Sequence, residues 1–504
     1  MKNPLYDALF APHSGSYAPF LIAPGSGQST SYGAFIKQAA RFANTLTDLG
    51  LTPGDRMVAQ VPKSPSALAL YAACVQAGIV YLPLNTAYTA SEVSYFLEDS
   101  GARLMVCDTG SEEALTPVAE ACGARLETMG ANEAGSFPDR AAGASDEFET
   151  VARDADDLAA FLYTSGTTGR SKGAMLTQAN LLSNAETLKE YWRFTGEDVL
   201  LHALPIFHTH GLFVATNVIL LAGGSMIFCP KFDLDQMIAA LPAATTMMGV
   251  PTFYTRLLGD ARFDRDLVAH MRLFVSGSAP LRAETHVDFE ARTGHRILER
   301  YGMTETNMNT SNPYDGDRRA GTVGFPLPGV ELKITDPETG ANLPEGEIGQ
   351  IEVRGPNVFS GYWQMPEKTR EELRDDGFFI TGDLGKIDGD GYVHIIGRNK
   401  DLIISGGYNI YPKEIELVLD AQPGVLESAV IGVPHPDFGE SVVAVLVAQQ
   451  GAAPDTDAIK AAVASELAGF KQPRAIEVMA ELPRNTMGKV QKNVLRERYA
   501  KTFA

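Results

Sequence analysis

The chain has 504 residues with 42 basic and 62 acidic side chains, a formal net charge of −20 at neutral pH. That negative excess disfavours nucleic acid and anionic membranes as partners, while leaving room for a local basic pocket. With 45% hydrophobic and 21% charged residues, the chain can build a sizeable core, is longer than one ordinary domain, and is not of disordered composition.

The first segment has a short apolar patch broken by Asp7 and Pro12 and lacks the apolar run of a secretory signal. Arg56–Val61 and Ala102–Cys107 read as strands, and Ser64–Ala77 and Ala90–Asp99 as helices. Leu158–Tyr163 reads as a buried strand. Asp198–Ala203 and Ser225–Phe228 read as strands on either side of a helix through 211–222, and Arg272–Ser276 as a further strand. This alternation predicts an α/β fold with ligand sites at strand C-termini. The richest apolar run, Leu212–Ile227, holds Asn217 and Gly223-Gly224, so no membrane span is predicted. From about residue 320 short alternating segments (Val330–Ile334, Gly349–Val353, Lys386–Ile387, Tyr392–Ile396) predict a small antiparallel β unit. After a polar connector, a helix over Pro412–Asp420, strands over Val425–Val433 and Val442–Val447, a helix over Asp455–Leu467 and a strand over Ala475–Met479 predict a separate α+β domain. The boundary is placed at Lys400, giving domains 1–399 and 400–504. Cys74, Cys107, Cys122 and Cys229 are widely spaced, which predicts free thiols in a reducing, cytoplasmic setting. Oligomeric state is not legible.

The most informative stretch is Thr164-Ser-Gly-Thr-Thr-Gly-Arg-Ser-Lys-Gly173, with three glycines, five hydroxyls and two cations in ten residues. Glycine lets the backbone approach a ligand, so its N–H groups can point at anionic oxygens, and hydroxyls and cations add to that. Such a loop suits polyphosphate. It is not a Walker A loop, because Ser171 stands where that motif requires glycine.

Further motifs follow in order: Gly277-Ser-Ala-Pro-Leu281, Tyr301-Gly-Met-Thr-Glu305, Thr381-Gly-Asp383, Gly397-Arg398, Ser405-Gly-Gly407 and Asn485-Thr-Met-Gly-Lys489. Together with residues 164–173 the set resembles the adenylate-forming superfamily of acyl-CoA synthetases, peptide-synthetase adenylation domains and luciferases, over roughly residues 30–495. The resemblance implies two half-reactions. A carboxylate attacks the α-phosphorus of ATP, giving an acyl-adenylate and pyrophosphate, and a thiol, usually of coenzyme A, then displaces AMP. It also implies a mobile C-terminal lid hinged at Lys400, whose rotation would exchange Lys489 for the Gly406-Gly407 loop beside a coenzyme A tunnel.

By that resemblance Thr164, Ser165, Gly166, Thr167, Thr168, Gly169 and Lys172 would cradle the β- and γ-phosphates. Thr304 would bond the α-phosphate and Glu305 would ligate Mg²⁺. Gly277, Ser278 and Ala279 would border the adenine with Tyr301 stacked on it, and Asp383 would hold the ribose with Arg398 as a second contact. Lys489 would bridge the attacking carboxylate and the α-phosphate, stabilising charge in the adenylation transition state. Lys471 and Arg474 are candidate cations for the 3′-phospho-ADP of coenzyme A.

The acid is approached from the residues. His202-Ala-Leu-Pro-Ile-Phe-His-Thr-His-Gly211, Gly249–Arg256 and Thr306–Asn312 are too polar to line an alkyl pocket. A buried polar group beside an alkyl tail costs roughly 1–3 kcal/mol. A second carboxylate paired with arginine accounts for that polarity. The wording of these stretches and of Arg300–Asn309 resembles the malonate–CoA ligase branch, which acts on malonate and methylmalonate. The resemblance puts Arg256 first for the distal carboxylate, Arg300 second, and His208 at the gate between acid pocket and thiol tunnel. Another short-chain or aryl acid, transfer to a carrier protein, and a catalytically dead nucleotide-binding protein remain open alternatives here.

Overall fold

A computed structural model describes residues 2–164, 171–406, 408–452, 454–485 and 488–503. The chain packs as two units, residues 1–331 with 354–379, and residues 332–353 with 380–504. The expected hinge residue, Lys400, lies within the second unit.

The first unit carries two α/β sheets. The smaller has the order Arg125–Thr128, Leu104–Cys107, Arg56–Gln60, Val80–Pro83, Leu158–Thr164, Lys172–Thr177. Its first five strands are parallel, and the last closes an antiparallel hairpin with Leu158–Thr164. The crossover helices are set by local signals. Pro65–Ala77 starts on the Ser64 hydroxyl and ends at Gly78, φ 70°, while Ala90–Ser100 opens with a Thr89/Glu92 capping box and ends at Gly101, φ 59°. Hydroxyl caps satisfy the first amide groups, and glycine takes the left-handed turn cheaply. Apolar residues from both layers, among them Val58, Leu82, Phe96, Met105 and Phe161, fill the space between.

The larger sheet has the order Phe325–Pro326, Asn307–Ser311, Leu298–Met303, Leu273–Ser276, Thr246–Gly249, Val199–His202, Ser225–Phe228, Pro19–Ile22, Ser29–Ser31. From Leu298–Met303 to Pro19–Ile22 it is parallel. The helix expected over 211–222 is a π-helix at His210–Thr216 followed by an α-helix at Asn217–Ala222. The wider winding falls where Gly211 presses on the Pro205 carbonyl, which a Cβ at 211 would meet at 2.1 Å. Asn307–Ser311, too polar to read as a strand, is wholly buried as one.

In the second unit four strands, Glu331–Thr335, Gly349–Arg354, Phe379–Ile387 and Val393–Arg398, form one sheet. The short segment foreseen at Lys386–Ile387 is the end of a nine-residue strand that contains Thr381-Gly-Asp383. A five-stranded sheet, with Val425–His435 antiparallel to Gly439–Ala448 and Ala475–Met479 parallel to it, carries the helices Pro412–Asp420 and Thr456–Glu466. Ile403, Ile415, Leu419, Val430 and Leu446 make its core. Among the described residues no helix is long and apolar enough to cross a membrane.

Candidate active site

The glycine-rich loop joins the two strands of the first unit's hairpin, whose register pairs Thr164 with Lys172. That is a strand C-terminus, where α/β sheets hold ligands. Ser165, Gly166, Thr167, Thr168 and Gly169 lie outside the described residues. Lys172 is half-buried. Its Nζ lies 3.1 and 3.2 Å from the two carboxylate oxygens of Glu372 and 4.0 Å from the Tyr362 ring centre. The Tyr362 hydroxyl is 2.6 Å from Glu372 Oε2 and 3.0 Å from Glu305 Oε1. Burial first, and then the two carboxylates, push the Tyr362 hydroxyl far above its ordinary pKa. Burial acts to raise Glu372, but hydrogen bonds from Tyr362 and Lys368 and the charge of Lys172 outweigh it and hold the group below the usual range.

Glu305 is a buried carboxylate at 5% exposure, and among the described residues no group of three or more His, Cys, Asp or Glu could hold a metal. One carboxylate beside a polyphosphate fits Mg²⁺, which binds through one or two carboxylates, phosphate oxygens and water.

The strand Leu273–Ser276 delivers Gly277, Ser278 and Ala279 at its C-terminal end, next to Leu298–Met303, which carries Arg300 and Tyr301. Arg300 is 4% exposed, and its Nε and Nη2 have no hydrogen-bond partner among the described residues. The guanidinium lies against the Gly277 backbone, where a Cβ would come within 2.2 Å of Arg300 Cζ. Burial pulls its pKa down to about 9, against the opposing influence of Tyr254. It is therefore still cationic near neutrality. A buried cation with unpaired N–H groups is costly, and an anion in its plane removes the cost. Ser276 Oγ on the adjacent strand is also buried without a partner.

Arg256 stands elsewhere. It sits in the last turn of Pro251–Leu258, whose Tyr254 and Leu257 face the core. Arg256 therefore faces outward and is exposed, with its guanidinium 5.7 Å from the Phe232 ring. The structure brings Arg300, not Arg256, into the buried polar cluster.

The three histidines of 202–211 divide in the same way. His202 is buried, with Nδ1 2.8 Å from Lys63 Nζ and Nε2 2.9 Å from the Gly211 carbonyl. His210 is fully buried, its Nδ1 3.1 Å from Ser278 Oγ. Burial, reinforced by neighbouring cations, lowers both well below the ordinary histidine value, so both are neutral. Ser278 itself takes φ 70°, a strained conformation for a residue with a Cβ. Only His208 is half-exposed, with Nδ1 accepting from the His210 amide at 3.3 Å.

Much of the polarity at 306–312 serves the fold. Thr209 Oγ1 donates to Asn307 Oδ1 at 2.7 Å, Asn357 Nδ2 donates to the Thr306 carbonyl at 2.7 Å, and Asn312 Nδ2 donates to the carbonyls of Glu299 and Thr322. Thr304 and Tyr301 are half-buried at the end of this hairpin.

Asp383 is 4% exposed on Phe379–Ile387, and Arg398 Nε meets its Oδ1 at 2.7 Å across the strand pair. Lys400 is exposed in a 3₁₀ turn, Asn399–Asp401. Lys489 is exposed. Its amide donates to Asn485 Oδ1 at 2.9 Å and its carbonyl accepts from the Asn485 amide at 2.9 Å, closing a turn through Gly488. Gly407 lies outside the described residues. Beside it Tyr408 and Phe470 stack at 4.5 Å and 20°, and Arg474 lies 4.2 Å over Phe438. These line a cavity of about 130 Å³ with Ser441, whose buried Oγ has no partner among the described residues. Lys471 is paired with Glu414 at 2.6 Å. The sequence reading missed Tyr362, Glu372 and this aromatic cavity. The Gly361-Tyr362-Trp363 run could have pointed to the first, since a glycine beside two aromatics marks a close backbone approach.

The fold thus carries a glycine-rich loop at the end of the hairpin strand Leu158–Thr164, the turn Gly277-Ser278-Ala279 after Leu273–Ser276, and a second unit that bears Asp383 and Lys489. The family description AMP-binding enzyme matches residues 12–363, and AMP-binding enzyme C-terminal domain matches residues 414–489. The chain belongs to this family. It is 58% identical to ATP-bound MatB from Rhodopseudomonas palustris over the whole of both chains, with a TM-score of 0.98. It is 37% identical to a malonate–CoA ligase of Arabidopsis thaliana over 462 residues, covering 83% of this chain and 74% of that protein. It is also 37% identical to a feruloyl-CoA synthase of Amycolatopsis over 477 residues, covering 94% of each. The last two relatives have the same percentage identity to this chain, over 83% and 94% of it.

Proposed function

We propose that this enzyme is an ATP-dependent malonate–CoA ligase, converting malonate, ATP and coenzyme A to malonyl-CoA, AMP and pyrophosphate. The observation that carries this reading is Arg300, a buried guanidinium with Nε and Nη2 unpaired. A diacid puts its distal carboxylate there, while a monocarboxylate or an aryl acid leaves the cation unpaired. Its second carboxylate attacks the α-phosphorus, forming the C–O–P bond of malonyl-AMP and expelling pyrophosphate. The thiol of coenzyme A then attacks the activated carbonyl and expels AMP.

Little covalent work falls to the protein in such a transfer, and positioning and charge neutralisation dominate. In our reading Lys172 and the glycine-rich loop take the β- and γ-phosphates, and Thr304 the α-phosphate. Gly277, Ser278, Ala279 and Tyr301 hold the adenine. Asp383 accepts from the ribose hydroxyls, with Arg398 fixing its carboxylate. Lys489 bridges the attacking carboxylate and the α-phosphate, Lys400 is the hinge, and His208 separates the acid pocket from the thiol. Glu305 would hold Mg²⁺, which supplies charge neutralisation of the phosphates when bound. The four free cysteines favour a cytoplasmic setting.

AMP release measured with malonate, methylmalonate, acetate, butyrate, benzoate and ferulate tests the acid, and preference for any monocarboxylate overturns it. Pyrophosphate exchange without coenzyme A turnover would move the acceptor to a carrier-bound thiol. Arg256→Ala is expected to leave the malonate KM within about twofold, as surface changes usually do; a large rise restores Arg256 as the clamp.

The cavity at Tyr408 and Phe470 suits the coenzyme A nucleotide, with the aromatic pair for adenine and Arg474 for phosphate. Phe470→Ala is expected to raise the coenzyme A KM by about tenfold, from a lost stacking contact of ~1–2 kcal/mol. Pyrophosphate exchange, which needs no coenzyme A, stays at the wild-type rate. Equal loss in both assays removes the assignment.

A further inference from the structure

Residues 359–363 join two parts of the nucleotide side of the first unit. On one side they run antiparallel to the strand leaving the glycine-rich loop. The Ser360 amide donates to the Met175 carbonyl at 3.1 Å, the Met175 amide to Gly361 at 3.0 Å, and the Trp363 amide to Gly173 at 2.8 Å. Tyr362 thereby bridges to Ala174. At the other end the Phe359 amide donates to the carbonyl of Glu305 at 2.8 Å.

The side chains repeat the link. Lys172 Nζ bonds Glu372, Glu372 accepts from Tyr362 Oη, and that hydroxyl also lies at hydrogen-bond distance from Glu305 Oε1. Tyr362 is itself 2% exposed, and its amide is tied to Thr369 Oγ1 at 2.9 Å, on the helix Pro366–Glu372 that ends in Glu372. A Cβ at Gly361 would strike Thr369 at 2.7 Å, so the turn and the helix are packed without slack.

We propose that residues 359–363 and Glu372 are a positioning brace that fixes the reach of Lys172 relative to Thr304-Glu305, and so sets the geometry in which the β- and γ-phosphates are held. This rests on the reading of Lys172 as a phosphate ligand. A flexible lysine gains most from such a brace, because ordering its side chain beforehand removes an entropy cost from binding. Glu372 and Tyr362 are positioning residues here; neither is assigned to the substrate.

Tyr362→Phe deletes only the hydroxyl and keeps the ring under Lys172, and Glu372→Gln removes the charge at equal size. Titration calorimetry with ATP and with AMP, with Mg²⁺ and no acid, reads the brace directly, because AMP lacks the two phosphates concerned. Each variant is expected to lose about tenfold in ATP affinity and to keep AMP affinity within about twofold. Thioester formation from supplied malonyl-AMP stays at the wild-type rate. In a Lys172→Ala background Glu372→Gln is expected to add no further loss, since the brace then has nothing to hold.

Unchanged ATP affinity, an equal fall for ATP and AMP, or a full tenfold loss on the Lys172→Ala background would each overturn the proposal. If Tyr362→Phe does not fold, Glu372→Gln alone decides by the same contrast. A wild type that binds ATP yet ignores malonate sinks the malonate reading alone, and the ATP–AMP contrast still decides the brace. A wild type that binds no ATP sinks both.

Discussion

Arg300→Met is expected to lower kcat/KM for malonate by about 10²–10⁴-fold while leaving acetate and butyrate unharmed or improved. Two guanidinium nitrogens of Arg300, Nε and Nη2, are buried without a partner among the described residues, and hydrogen bonds between charged partners are worth ~1.5–3 kcal/mol each. Their joint loss, ~3–6 kcal/mol, spans that range at tenfold per 1.4 kcal/mol. Methionine is the informative replacement because it fills the space without charge. It also gives a second, independent readout. An unpaired buried cation burdens the fold, and replacing it with an apolar side chain of similar volume removes the burden. The variant is therefore expected to melt above the wild type when no diacid is present, and malonate should raise the melting temperature of the wild type but not of the variant. Equal loss across all acids, or no loss for malonate, rejects Arg300 as the clamp.

Lys489→Ala is expected to reduce malonate-dependent pyrophosphate exchange by about 10³-fold or more, the scale for removing one group aimed at developing charge. Conversion of supplied malonyl-AMP and coenzyme A to the thioester should persist near the wild-type rate. The lysine is exposed at a turn held by Asn485, so its truncation removes no core contact and the melting temperature should stay unchanged. Loss of both half-reactions together would break the division of labour between them. Loss of thioester formation alone would assign Lys489 to the wrong step.

How far the sequence carried the site is clearest in the arginines. Arg256 follows an aromatic pair in a polar-looking run, and chain proximity made it the first choice. In our proposal the helix period argues for Arg300 instead. Tyr254 and Leu257 take the buried face, which turns Arg256 outward. Arg300 sits within a strand, where alternation gives no sign of which face is a pocket and which a core. The cue is tertiary, a glycine just past the end of the neighbouring strand whose missing side chain makes room. The strand–helix alternation, the C-terminal helix Pro412–Asp420 and the strand Ala475–Met479 were legible because period and caps speak locally. Asn307–Ser311 was not, because its burial depends on partners such as Asn184, Asn357 and Thr209 that lie far away in the chain. The polar run read as pocket lining is in good part internal scaffolding. The inference of a polar acid site survives on Arg300 alone.

The close approach of Gly277 and Arg300 ties the turn to the choice of acid. The turn at 277–279 would ordinarily be scored as nucleotide recognition, and changes there blamed on ATP. Yet a methyl group at 277 would collide with the guanidinium at 2.2 Å and evict it. Gly277→Ala thus ought to weaken the preference for a doubly charged acid. One hydrogen-to-methyl exchange at the end of this strand is then enough to turn the proposed site from diacids toward monoacids.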